Sequence, residues 1–160
     1  MKPLFTVGAV LVAVNSAVSA ADAYEMIAYA DTPTDPVVID MGPVGLSIGD
    51  EVIHQGALRM SAEGPVVGSY IAKTEVIFQD VETGKTIRSF MAEHTFDDGS
   101  LYLIDTVPLD HSDTVKVGHE HTGTITGGTG KYHAIRGSYH LKVVSTEVGY
   151  MSVMTYSLVP

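Results

Sequence analysis

Ile125-Thr126-Gly127-Gly128-Thr129-Gly130-Lys131-Tyr132-His133-Ala134-Ile135-Arg136-Gly137 decides the fold, because it breaks a pattern that the rest of the chain keeps. Gly127, Gly128 and Gly130 permit positive φ and close backbone approach. From Lys131 to Arg136 one helical turn is expected, ended by Gly137. A phosphate-cradling loop is the sharper alternative, but the G-x-x-x-x-G-K-[ST] pattern is not met and the flanks are β-like. The segment therefore reads as a plug or corner set into a β-structure.

Outward from it, β-branched or aromatic residues alternate with polar ones from Tyr24 onward, and Gly, Pro and Asp interrupt them at regular intervals. That period of two predicts strands over 24–31, 37–41, 50–61, 66–79, 86–97, 100–108, 114–127, 138–146 and 150–159. Glu63-Gly64-Pro65, Glu82-Thr83-Gly84-Lys85 and Asp97-Asp98-Gly99-Ser100 supply turn chemistry between them. A meander of about eight antiparallel strands must deal with its edges, and closure into a barrel leaves none. The expected fold is thus all-β, a small antiparallel eight-stranded barrel with a lipocalin-like cavity; a two-sheet sandwich is the alternative. At this strand number the interior holds packed side chains or one small ligand.

Composition narrows the function. The chain has 160 residues, enough for one domain with an ordinary core. Nine basic against 19 acidic side chains give a net charge of -10, whose field repels phosphate backbones and anionic lipid, so nucleic acid is not an expected partner. With no cysteine, disulfides, thiolate zinc sites, iron–sulfur clusters and cysteine nucleophiles are excluded together. At the start, Lys2 precedes an apolar run from Leu4 to Val14 and then Ala17-Val18-Ser19-Ala20. That run is too short to cross a bilayer, and the small residues fit a signal cleavage site after Ala20. Residues 1–20 are expected to be a secretory signal and 21–160 a single barrel domain, secreted or periplasmic, without membrane insertion.

The glycine-rich segment also resembles a signature of the dirigent and allene oxide cyclase barrels. Dirigent proteins carry Gly-Gly-Thr-Gly-x-Phe-x-x-Ala-Arg-Gly, to which Gly127, Gly128, Thr129, Gly130, Tyr132, Ile135, Arg136 and Gly137 are similar, with Ile135 replacing the alanine. Allene oxide cyclases are similar through Ile-Thr-Gly-Gly-x-Gly, an aromatic, and a strand matched here by Tyr139-His140-Leu141-Lys142. Gly49-Asp50 and Tyr24-Glu25-Met26-Ile27 sit where the cyclase pattern has similar segments. The resemblance implies an eight-stranded barrel with a ligand cavity, assembled as a trimer through its outer face. It does not imply cyclisation of the plant fatty-acid epoxide, since the cyclase's polar positions fall near Ile27, Tyr29 and Gly56. From the dirigent side, Arg136 carries over as a functional arginine. Bacterial barrels of the same superfamily, which close polyene rings, keep a cyclase reading open.

Choosing the more apolar face of each strand as inward places several histidines in the lumen. His54 goes with Val52, Leu58 and Met60; His94 with Phe90, Ala92 and Phe96; His119 and His121 with Val115, Val117 and Ile125. An imidazole in a dry pocket can take or give a proton. His94, His119 and Arg136 are the candidate catalytic residues, and His54, Tyr70, Phe90, Tyr102 and His121 the candidate ligand-binding ones. Burial would lower a histidine's pKa, and a carboxylate such as Asp105 would raise it. His54 and His94 have exposed strand positions as their ordinary alternative. His119-x-His121 puts two rings on one face, but no local third ligand completes a metal site, so no metal and no cofactor is expected. No nucleophile elbow surrounds Ser69, Ser89, Ser138 or Ser152, and nothing marks Glu75, Glu93 and Asp105 as a glycosidase pair. Three readings follow: a barrel enzyme that folds a small apolar molecule into one product, a carrier of such a molecule, or an interaction module with a filled interior.

Overall fold

A computed structural model describes residues 22–31, 36–109, 116–147 and 149–160; the expected signal lies outside them. Among these residues nine strands form: β1 (Tyr24–Asp31), β2 (Val37–Ile39), β3 (Glu51–Arg59), β4 (Val66–Gln79), β5 (Thr86–Phe96), β6 (Gly99–Leu109), β7 (Glu120–Gly128), β8 (Arg136–Thr146) and β9 (Gly149–Val159). Their order is β1-β9-β8-β7-β6-β5-β4-β3-β2, and β1 also pairs with β3. Eight strands therefore close into an antiparallel barrel, and β2 is an extra strip on β3. Each strand of the barrel proper is paired on both sides, at the β1–β3 seam by two rungs, which answers the edge problem as the alternation predicted.

Residues opposite one another on an antiparallel ladder share a face, so the registers fix what points inward. Tyr70 faces His94 and Ala72 faces Ala92; His94 then faces Leu101, and Phe90 faces Asp105. On the far side Tyr139 faces Tyr156 and Leu141 faces Met154. Tyr139, Tyr156, Leu58, Leu101, Leu103, Ile125, Met154 and Leu158 are all under 2% exposed. Burying such a side chain contributes about 1.5–3 kcal/mol each.

One end is stoppered. A 3-10 turn, Gly130–Tyr132, lies between β7 and β8 and drops Tyr132 inside. Backbone bonds Thr129 N to Ser100 O and Lys131 N to Asp98 O, both 2.9 Å, tie it to the start of β6. Gly128 allows this approach, because a Cβ there would lie 2.8 Å from Tyr132 Cβ and collide with Ser100 O. The turn is shorter than the sequence suggests: Arg136 already begins β8. Short 3-10 pieces suit a connector squeezed between two strands.

Three inward assignments need correction. The strand expected over 114–127 begins only at Glu120, because Gly118, at φ 89°, turns the chain first. Val117 is accordingly 57% exposed, while Val115 lies outside the described residues. Met60 is 66% exposed, being past the end of β3. Tyr102 lies on the outer face at 38% exposure, since Leu101 and Leu103 take the inner positions of β6.

The seam where the barrel closes is short. β1 meets β3 only at Tyr29–Arg59 and Ala30–Leu58. Arg59 Nε donates to both Asp31 oxygens at 2.9 and 3.1 Å, and Tyr70 O–H donates to Asp31 O at 2.6 Å.

Candidate functional site

The inner face divides into two halves with different chemistry. Towards the plug, His94 is 2% exposed and its Nδ1 lies 2.6 Å from the Tyr156 hydroxyl. Tyr70, Phe96 and Tyr132 surround the pair, with Tyr70 and His94 rings 5.8 Å apart. Burial holds the His94 pKa down to about 3, so the ring is neutral. Tyr70 has its hydroxyl committed to the seam and its pKa pushed up by burial. These groups are satisfied and packed.

The other half is polar and incompletely paired. His121 and Asp105 face each other at 3.6 Å, Nε2 to Oδ2, with side chains 14% and 15% exposed. Nδ1 of His121 lies 3.3 Å from Nε2 of His119. The rings of Phe90 and Tyr139 close on the same place, 6.1 and 5.9 Å from His121. Gly123, opposite Tyr139 in the ladder, makes room for that ring, onto which a Cβ would fall. Tyr139 Oη and His121 Nε2 are shielded from solvent yet have no hydrogen-bond partner among the described residues. Burial first, then the Asp105 charge, pushes the Tyr139 phenol up, leaving it a neutral donor. For His121, burial lowers the pKa, Asp105 opposes that, and His119 and His140 reinforce it. The arrangement holds a phenol, an imidazole and a carboxylate beside an aromatic wall, which suffices to orient a polar group and move a proton.

His54 also faces inward and is half-buried; burial, followed by the charge of Arg88, lowers its pKa. Arg88 is 4% exposed on the inner face of β5. Of the expected residues, the fold thus gathers Phe90, His119 and His121 into one cluster, and places His54 on the inner face opposite Ala72. It sets His94 and Tyr70 in the stoppered half. Tyr102 and Arg136 lie outside: Arg136 is exposed, and its Nη1 donates to Ile135 O at 2.9 Å.

Tyr139 and Arg88 escaped the sequence reading. Both carried a signal in strand parity, Tyr139 with Leu141 and Val143 on β8, Arg88 with Phe90 and Ala92 on β5. Among the described residues no group of three or more His, Asp or Glu is placed to hold a metal ion, and no helix is long and apolar enough to cross a membrane. A hollow of about 260 Å³, bounded by Met26, Met60, Val67, Phe96 and Tyr132, lies at the stoppered end and away from this chemistry.

The class the fold defines is an eight-stranded antiparallel barrel, stoppered at one end and carrying acid–base groups inside the other. The profile of the allene oxide cyclase barrel-like domain matches residues 26–155, and the chain belongs to that family. No curated protein matches it. Among solved structures it is similar to a pyocyanin demethylase, with 20% identity over 84% of this chain and 99% of that one, TM-score 0.66. It is also similar to a pterocarpan synthase dirigent protein, with 17% identity over 86% and 84%, TM-score 0.62. A Diels–Alderase from Streptomyces koyangensis aligns with 15% identity over 86% of this chain and 62% of that one, TM-score 0.60. At these identities the likeness establishes the fold.

Proposed function

We propose that the protein binds a small, largely apolar organic molecule beside Tyr139 and His121 and directs its cyclisation, isomerisation or stereoselective coupling. One observation carries this: two buried polar atoms, Tyr139 Oη and His121 Nε2, lack partners at the same place. A buried unsatisfied donor or acceptor costs about 1–3 kcal/mol, and such groups in a folded protein call for an explanation. A guest with a carbonyl, hydroxyl or ring heteroatom supplies the missing partner. Its apolar body packs on Phe90, and Asp105 stabilises the imidazolium whenever His121 takes a proton. Holding one conformation in a water-poor site removes rotational entropy from the barrier, so such guidance needs few reactive groups. In this reading His94 is part of the packed floor. The Diels–Alderase and pterocarpan synthase among the similar structures support ring closure or coupling as the reaction class.

Carriage without conversion is the second reading, favoured by the lack of a nucleophile motif and by the signal-like sequence expected to direct export, residues 1–20. Native mass spectrometry of the protein recovered after expression with its full leader tests these together. Enzyme and carrier both predict retained organic mass lost in Tyr139→Phe and His121→Gln; only the enzyme releases it altered. A mature chain beginning at Ala21 supports secretion or a periplasmic location. A threefold mass supports the trimer, for which Ile71, Met91 and Ile104, 51%, 48% and 44% exposed on the outer face of β4–β6, provide apolar surface. Absence of any guest that distinguishes the variants from the parent overturns the binding reading.

A further inference from the structure

We propose that His119 is a relay residue that carries protons between the lumen-facing His121 and solvent. This deepens the lumen reading and rests on it for its purpose, though its geometry stands alone. His121 presents Nε2 to Asp105 and the interior, at 3.6 Å from the carboxylate, and turns Nδ1 outward to His119 Nε2 at 3.3 Å. The two rings are tilted by 54° with centroids 5.4 Å apart. His119 sits on the turn that precedes β7. Its N–H donates to Lys116 O, and its carbonyl accepts from Val143 N, both at 2.9 Å. Those backbone bonds hold it in place, and the residue is half-buried.

The proton count closes. A hydrogen-bonded imidazole pair shares one proton between facing nitrogens, and a neutral ring has one N–H and one bare nitrogen. With His121 protonated on Nδ1, its bare Nε2 accepts a proton from the guest, and Asp105 steadies the imidazolium. The Nδ1 proton then passes to His119 Nε2, and His119 releases its own Nδ1 proton to water. One proton has entered and one has left. His121 is neutral again, now as the Nε2–H tautomer, ready to return a proton to the guest by the reverse path. An isomerisation, which removes a proton at one atom and delivers one at another, resets the relay with each turnover. The charged and titratable groups acting on His121 are Asp105 from β6, His119 from the turn and His140 from β8; Phe90 from β5 and Tyr139 from β8 face it as neutral rings.

The test uses the full chain, labelled with 15N at histidine, without any guest. In the parent protein, nitrogen–nitrogen coupling across the Nδ1···Nε2 bond is expected; no coupling at any pH where the pair is neutral or singly protonated overturns the proposal. In His119→Gln, which can hydrogen-bond but cannot relay, exchange of the His121 ring proton with water is expected to slow at least tenfold. Unchanged or faster exchange is what a merely structural His119 gives, and it overturns the proposal. If that variant does not fold, His119→Asn serves, and the parent coupling remains decisive. Retained guest mass in His119→Gln separates the two ideas: loss of the relay leaves guest binding in place, whereas absence of any guest counts against the lumen reading alone.

Discussion

Each half of the barrel sets an inward histidine against an inward tyrosine, His94 with Tyr156 and His121 with Tyr139, and the two arrangements differ in whether their polar tips meet. His94 and Tyr156 bond at 2.6 Å in the stoppered half, and both are at most 2% exposed. His121 and Tyr139 stack edge to face with centroids 5.9 Å apart, and each leaves a buried polar atom without a partner. The same two residue types thus give a closed structural unit in one place and an open chemical one in the other. Residue identity did not decide this; what decided it was whether the polar tips reach each other. Tyr139 is as buried as His94 and Tyr156, so burial does not separate the pairs; unmet hydrogen-bonding capacity does.

The largest effect that sharpens this contrast is acid sensitivity. The folded pKa of His94 is about 3 against an ordinary 6.5, so between those values the unfolded chain binds a proton there and the folded one does not. Stability therefore rises with pH in that window and is lost as pH falls from 6.5 towards 3, at about 1.4 kcal/mol per pH unit from this group. Urea midpoints taken across the window should fall with acid in the parent and more shallowly in His94→Gln. Identical slopes would place the titrating load elsewhere. Tyr156→Phe comes next. It strands His94 Nδ1 in the core and should cost about 1–3 kcal/mol in denaturant titration. Tyr139→Phe is the smallest. Removing a hydroxyl that has no partner should change stability by less than about 1 kcal/mol in either direction, while abolishing guest retention. Equal destabilisation by the two Tyr→Phe changes would erase the distinction between the halves.

Much of the barrel was legible because period-two alternation and turn residues are local properties. β1 and β4 fall where the pattern puts them, and the glycine-rich stretch does stopper the end. What was not legible depended on partners. β6 has Tyr102 and Ile104 on one face and Leu101 and Leu103 on the other, so its own sequence offers two apolar faces; register with His94 and Ala92 chooses between them. The inward Arg88 was not legible, because a charge on a strand ordinarily points to water. His94 and His121 read alike in sequence, and only the opposite strands show that one meets Tyr156 and the other Asp105. Tyr139 stood in a recognisable strand motif, but its unmet hydroxyl is visible only once Gly123 is seen to accommodate the ring.

The short closure between β1 and β3 has a consequence for copies of the chain. Opening those two rungs, with the Arg59–Asp31 pair and the Tyr70–Asp31 hydrogen bond, turns the ring into a twisted ribbon whose two margins are complementary to each other. The margins of a second opened ribbon are identical, so the β1 of one molecule fits the β3 of another with the same bonds. Intermolecular exchange then restores every lost contact without inventing a new one. Raising protein concentration during refolding is then expected to favour closure on a neighbour over closure on itself.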